Sequence, residues 1–355
     1  MKPMQNFSLR RLYALAAVAA LPLAAACDSG PTEPEIAERL VVVVNSVGNT
    51  LSLVPVDGTT GLTVREVALG AQGTPVDVAA RGATAVVPMG TYPFAAVVDL
   101  RAGVVTHTVA LPANSGATGV AFVNDTLALV ANPGLNSVSP VRVRSGTAGA
   151  PIAVGTYPQA IVEHGGRVFV LNANLVNFTP AGPGSVTVLD SQLGVVRTIQ
   201  LTGLNPQAGV VVGTRLYVLN AGTFASASGT LSVIDLNTLT EVEHHTGFGF
   251  FPTTIAASAG GDLFVGGYGL GVFVWDPRDE EFEVAPADPI KPGGSTIVAD
   301  IGFDHQGRLH VTDSGDCRDP GLLRRLSATF VEERAVPVGV CPIGFAFADI
   351  PEDDD

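Results

Sequence analysis

The sequence predicts an all-β chain, a seven-bladed β-propeller of four-stranded antiparallel blades closed by a C-terminal strand that completes the first blade. Three observations carry this reading. The 355 residues are 46% hydrophobic and 15% charged with 41 Gly and 25 Pro, a composition that buries a large core yet turns constantly. Short β-branched runs recur about every 44 residues, seven times, and no stretch carries a helical period. The folded part opens on a run of the second-strand type and ends on one of the inner-strand type, residues 343–350, so the tail zips onto the head and no blade edge stays open.

Residues 1–26 stand outside the fold. Lys2, Arg10 and Arg11 precede an apolar run from Leu12 to Ala26, the pattern of a secretory signal. The stretch Leu23-Ala24-Ala25-Ala26-Cys27 resembles the lipobox of bacterial lipoproteins, which implies cleavage before Cys27 and a lipid on its sulfur. Without residues 1–26 the chain keeps 16 basic against 33 acidic side chains, a net charge of −17 that repels anionic lipid heads. An acyl chain, rather than a basic patch, must then hold it to a membrane. Residues 27–38 are the lipidated cysteine and a polar tether with two prolines, 39–350 the propeller, and 351–355 an acidic tail.

Within the propeller the seven runs are residues 40–45, 84–88, 127–132, 168–172, 216–220, 263–266 and 309–313. A loop and a further strand follow each, clearest at 185–190, 231–235 and 272–276, then an outer strand such as 195–201 or 330–336. A turn leads into a strand of small residues, as at 158–162, 206–212, 252–256 and 342–347. Small residues belong innermost, where blades crowd the axis.

The unit of a strand ending in Asn, a loop, Ser-Val-x-Val-Ile-Asp, an outer strand and Gly-x-x-Pro resembles the YVTN or YncE-like propeller repeat. Gly155-Thr156-Tyr157-Pro158, Gly203-Leu204-Asn205-Pro206, Gly249-Phe250-Phe251-Pro252 and Gly339-Val340-Cys341-Pro342 fit its turn, while the blades around 84–125 and 262–308 lack it.

Two lysines, Lys2 and Lys291, and no basic stripe exclude nucleic acid as a partner. No Walker loop, His-Glu-x-x-His, Gly-x-Ser-x-Gly or dinucleotide fingerprint is present, so no catalytic residue, cofactor or metal is expected. His244 and His245 are adjacent and point to opposite faces of a strand. His305 and His310 flank the turn at Gly307, where spacing sets no third ligand.

With Cys27 lipidated, Cys317 and Cys341 remain as a pair in an oxidising compartment, both in connections at one face of the ring. A disulfide between them closes a loop of about two dozen residues and stabilises by about 3 kcal/mol. The acidic loop from Asp313 to Asp319 lacks EF-hand spacing and reads as solvated, with Arg318 as partner.

Asn45, Asn132, Asn172 and Asn220 recur at one strand end, and Asp190, Asp235 and Asp276 at the next. Recurrence in every blade points to local hydrogen bonding, the alternative for the asparagines being a ring of ligand contacts at one mouth of the channel. The long connections 173–184 and 221–229 reach the same face as the Gly-x-x-Pro turns. With Tyr157, Phe178, Phe251 and Asp313 they mark that face as the candidate binding surface. The expected function is a lipid-anchored cell-envelope propeller, on the periplasmic or extracellular side, that binds or scaffolds an envelope protein, a peptide or a glycan. The alternative, drawn from what related rings host, is a lyase, lactonase or quinoprotein-type enzyme with a metal or cofactor at the axis.

Overall fold

The computed structural model describes residues 35–58 and 61–352. The strands form seven four-stranded antiparallel blades, with one extra short strand in blade 3 and a two-stranded hairpin, Leu175–Val176 with Thr179–Pro180, in the long connection of blade 4. Inner strands of blades 1 to 7 are Pro342–Pro351, Ala79–Arg81, Val120–Asn124, Pro158–His164, Pro206–Val212, Thr254–Ala257 and Asp300–Phe303. The second strands, in the same order, are Ile36–Asn45, Thr84–Pro88, Leu127–Asn132, Arg167–Asn172, Arg215–Asn220, Leu263–Gly267 and Leu309–Asp313. All seven runs read from the sequence are second strands.

Those runs are apolar throughout because both faces of each blade are covered. In blade 1, Leu40, Val42 and Val44 pack against blade 2, whereas Val41 and Val43 point the other way against blade 7. Period-two alternation therefore feeds two cores at once. One apolar cluster fills each blade-to-blade interface among the described residues. Each wholly buried valine in them stabilises by roughly 1.5–3 kcal/mol.

The ring closes as the sequence predicts: Leu40 pairs with Ala348 and Val43 with Phe345. Pairing runs further than expected. Ile36 and Glu38, assigned to the tether, lie opposite Pro351 and Ile350, and Glu352 N donates to Glu35 O at 2.8 Å, so the first strand begins at Ile36 and the tail begins after Glu352. An inner strand that continues to Pro351 has backbone groups that need partners, and residues 36–38 supply them. At the lower end of this seam Arg325 and Arg334 of blade 7 donate to the carbonyls of Pro55, Val56 and Gly58 at 3.0–3.3 Å. At the upper end Ser46 N donates to Cys341 O at 2.9 Å. Cys27, the signal segment and the last three residues lie outside the described residues.

Candidate functional site

Inner strands run downward from one face and second strands return to it. That upper face therefore carries the connections after the second strands together with the turns that enter the inner strands. The recurring asparagines sit just beneath it. Asn45, Asn132, Asn172 and Asn220 are wholly buried. Their amide nitrogens donate to hydroxyls of the third strand in their own blade: Ser52 at 2.9 Å, Ser139 at 2.9 Å, Thr187 at 3.1 Å and Ser232 at 2.9 Å.

They brace the blade wall from within, and their side-chain oxygens are shielded and have no hydrogen-bond partner among the described residues. They also explain the motif glycines. A Cβ on Gly155 would come within 2.6 Å of the Asn172 amide, one on Gly339 within 2.6 Å of Asn45, and one on Gly203 would collide with Asn220. Asp313 takes the asparagine's place in blade 7 and is likewise buried, bonded to Arg324 at 2.9 Å and to Gly315 N at 3.1 Å. Its cationic partner is Arg324, not the Arg318 expected from the sequence, because Arg324 stands on the third strand where the four asparagine blades carry Ser or Thr.

In the four Gly-x-x-Pro turns the residue before proline is left-handed: Tyr157, Asn205, Phe251 and Cys341, with φ of 53–60°. Asn tolerates this conformation, whereas bulky side chains enter it at a cost of about 1–2 kcal/mol. Each of the other three is engaged with a neighbouring loop. Cys341 is bonded to Cys317, the expected disulfide. Phe251 stacks on Phe224 with ring centroids 4.4 Å apart, and Tyr157 meets Phe178 edge-on at 6.2 Å.

Among the described residues the most exposed aromatic side chains are Phe178 (71%), Phe224 (54%), Tyr268 (49%) and Phe250 (45%). All four belong to upper-face connections. The sequence reading named Phe178 but missed Phe224, Phe250 and Tyr268, whose blades and registers had to be known first.

Below the turns the inner strands enclose a cavity of about 410 Å³ at the head of the channel. The strand registers place one residue per blade at the same level of its wall: Gly344, Asp77, Gly119, Ala160, Ala208, Thr254 and Asp300, from blade 1 to blade 7. Five are small, as crowding at the axis demands, and two are carboxylates.

Asp77 accepts from Val78 N at 2.8 Å and from Val120 N of the next blade at 3.0 Å. Asp300 accepts from Thr254 Oγ1 at 2.6 Å, Ile301 N at 2.9 Å and Phe345 N at 3.1 Å, joining blades 6, 7 and 1. Both lie deep in the ring while bordering the cavity. Burial pushes Asp77 up to about 7 and Asp300 up to about 6, against the pull of these bonds, and Asp300 raises Asp77 further.

Comparison with known proteins gives the fold alone. No protein-family model matches the chain, and no curated protein matches it. Among solved structures it is similar to Kuenenia stuttgartiensis hydrazine synthase, with a TM-score of 0.63 at 15% identity over 78% of this chain and 90% of that one. It is similar also to a functionally unknown protein from Desulfotomaculum acetoxidans DSM 771, with a TM-score of 0.64 at 14% identity over 88% of this chain and 99% of that one.

Several other charged groups are occupied by one another or by their own turns. His310, wholly buried, bonds Asp304 at 2.9 Å, and Arg308 holds the same carboxylate at 2.7 Å. His305 instead bonds Gln306 in the exposed turn, so the two histidines are not brought to one site. Asp262, Asp276 and Glu283 cluster, but Arg278 bridges the first two at 2.5 and 2.9 Å. Asp235 accepts Thr238 N at 2.7 Å within its own turn, which lowers its carboxyl pKa.

Proposed function

We propose that this chain is a recognition propeller of the cell envelope, held by a lipid on Cys27 to the extracytoplasmic side of a membrane, which takes an envelope protein, peptide or glycan on its upper face. The observation that carries the reading is the concentration of exposed aromatic side chains on that one face. Large exposed aromatics on a rigid scaffold are anchors for recognition, since they offer wide contact area for little lost freedom. Left-handed backbone at Tyr157, Phe178 and Phe251 supports it further, because strain of this kind gathers where a side chain is being aimed. The resemblance of the repeat to YVTN-type propellers agrees with a binding role.

The test is recovery of envelope material on the purified full chain against a Phe178→Ser/Phe224→Ser variant. The variant is expected to lose at least tenfold of the specifically retained material while remaining folded. Equal retention would overturn the reading. Anchoring is tested separately, because Cys27→Ala should abolish palmitate labelling and release the protein from membranes.

A second reading, an extracytoplasmic enzyme working at the axis, draws on the two carboxylates of raised pKa in the cavity. A stoichiometric metal in the purified protein that Asp77→Asn and Asp300→Asn both remove would favour it.

A further inference from the structure

The channel head holds two carboxylates and no compensating charge. Of the residues that line the cavity, Asp77 and Asp300 alone are ionisable; the polar remainder, Thr118, Gln159, Gln207, Thr253 and Thr254, is neutral. Every hydrogen bond to either carboxylate comes from a backbone N–H or a hydroxyl. In the same chain the carboxylates most shielded from solvent, Asp276, Asp304 and Asp313, are each held by an arginine. The rule of charge matched by charge is broken at the axis alone among these five.

A carboxylate at this level is not the only way to join blades: Gly119 N of blade 3 donates straight to Gln159 O of blade 4 at 2.9 Å. Asp77 and Asp300 make comparable links and add charge that the link itself does not need. Thr253 adds to the picture. Its Oγ1 is shielded and has no hydrogen-bond partner among the described residues, and Thr253 belongs to the same wall.

The geometry points to a ligand that brings the missing charge, a primary ammonium on an aliphatic stem, such as a lysine side chain or a diamine. This rests on the upper-face reading, and it names what enters the cavity beneath the aromatic rim. The ammonium has three donors for the free lone pairs of Asp77, Asp300 and Thr253. Its stem would lie along Val76 and Ile343, and the cavity volume suits such a group. A divalent ion is a poorer fit, since it needs about six to eight oxygens closing around it and five of the seven wall positions offer none or one.

The test is titration of the full chain in detergent micelles with Nα-acetyl-lysine methylamide, against its neutral norleucine counterpart, followed by NMR of the carboxyl carbons. At pH 8 both carboxylates are ionised; binding of the lysine derivative is expected, at least tenfold tighter than the counterpart, with the Asp77 midpoint moving from near 7 to lower pH. Affinity should fall at least tenfold at pH 5, where both groups are protonated, and in Asp77→Asn and Asp300→Asn variants shown to be folded under the assay conditions. Equal binding of the two probes, or affinity insensitive to both substitutions, would overturn the inference, as would Ca²⁺ displacing the amine at stoichiometric concentration. If the amine fails while envelope capture still depends on Phe178 and Phe224, the face stands and the cation does not; if both fail, both readings fall.

Discussion

Blades 5 and 7 are the same structure built with different chemistry. At the axis blade 5 places Ala208 where blade 7 has Asp300. At the end of the second strand blade 5 has a neutral latch, Asn220 to Ser232 at 2.9 Å, and blade 7 an ion pair, Asp313 to Arg324 at 2.9 Å. At the upper turn blade 5 stacks Phe224 on Phe251, and blade 7 bonds Cys317 to Cys341. Each pair spans the same two connections, one after the second strand and one before the next inner strand.

The contrast separates architecture from added purpose. Blade 7 borders the seam where the chain's two ends meet, and there covalent and ionic links replace weaker ones. In blade 5 the link is made of side chains that remain half exposed, and so the node that closes a turn can also meet a partner.

Breaking the ion pair is the strongest test. Asp313→Asn leaves Arg324 paired with Glu332 alone, at 2.7 Å, in a site nearly closed to water, and should destabilise by about 3 kcal/mol in chemical denaturation. Adding Arg324→Ser rebuilds the blade 5 latch and should recover most of that loss; no recovery would show that the two nodes are not equivalent.

Next come the axis and the disulfide. Asp300 has its pKa raised by burial from 3.8 to about 6. A carboxyl raised on folding holds its proton more tightly in the folded state, so its stabilising contribution is complete below about pH 4 and is lost as pH rises through about 6. Asp300→Asn removes that loss. The variant should gain on the wild type by on the order of 3 kcal/mol between pH 4 and pH 8, in denaturation at the two pH values. A constant difference would mean that the carboxylate is ordinary. Asp304, whose pKa is lowered, is the same in wild type and variant and drops out of the difference.

Replacing Cys317 and Cys341 by Ser should lower stability by about 3 kcal/mol. The matching change in blade 5, Phe224→Ala, should cost about 1 kcal/mol or less while weakening envelope capture. Between them falls Asn220→Ala, about 1–2 kcal/mol, because Ser232 loses its buried partner.

The blades were legible because their signal is local. Residues 40–44 alternate between two neighbouring cores, and the runs at 168–172 and 216–220 repeat the pattern at an interval fixed by four strands and four turns. The disulfide was legible from parity. The roles of the asparagines were open, since a strand-end Asn has the same sequence context whether it faces a channel or a blade wall; burial decides for the wall. Asp77 and Asp300 carried no signal at all. Each sits in an ordinary run of small residues, and nothing near Pro75 or Ala299 in the chain announces the other.

What the amino-acid order settled by itself is whatever repeats over a few residues: strand type, blade number, the meeting of tail and head, and the one cysteine pair. Ring closure decided the rest. It brings seven inner strands to one level, sets two carboxylates from opposite ends of the chain into a cavity without a counter-charge, and gathers the exposed aromatics of separate blades on one face. Those are properties of distance in space, and only packing around a common axis converts sequence separation into proximity.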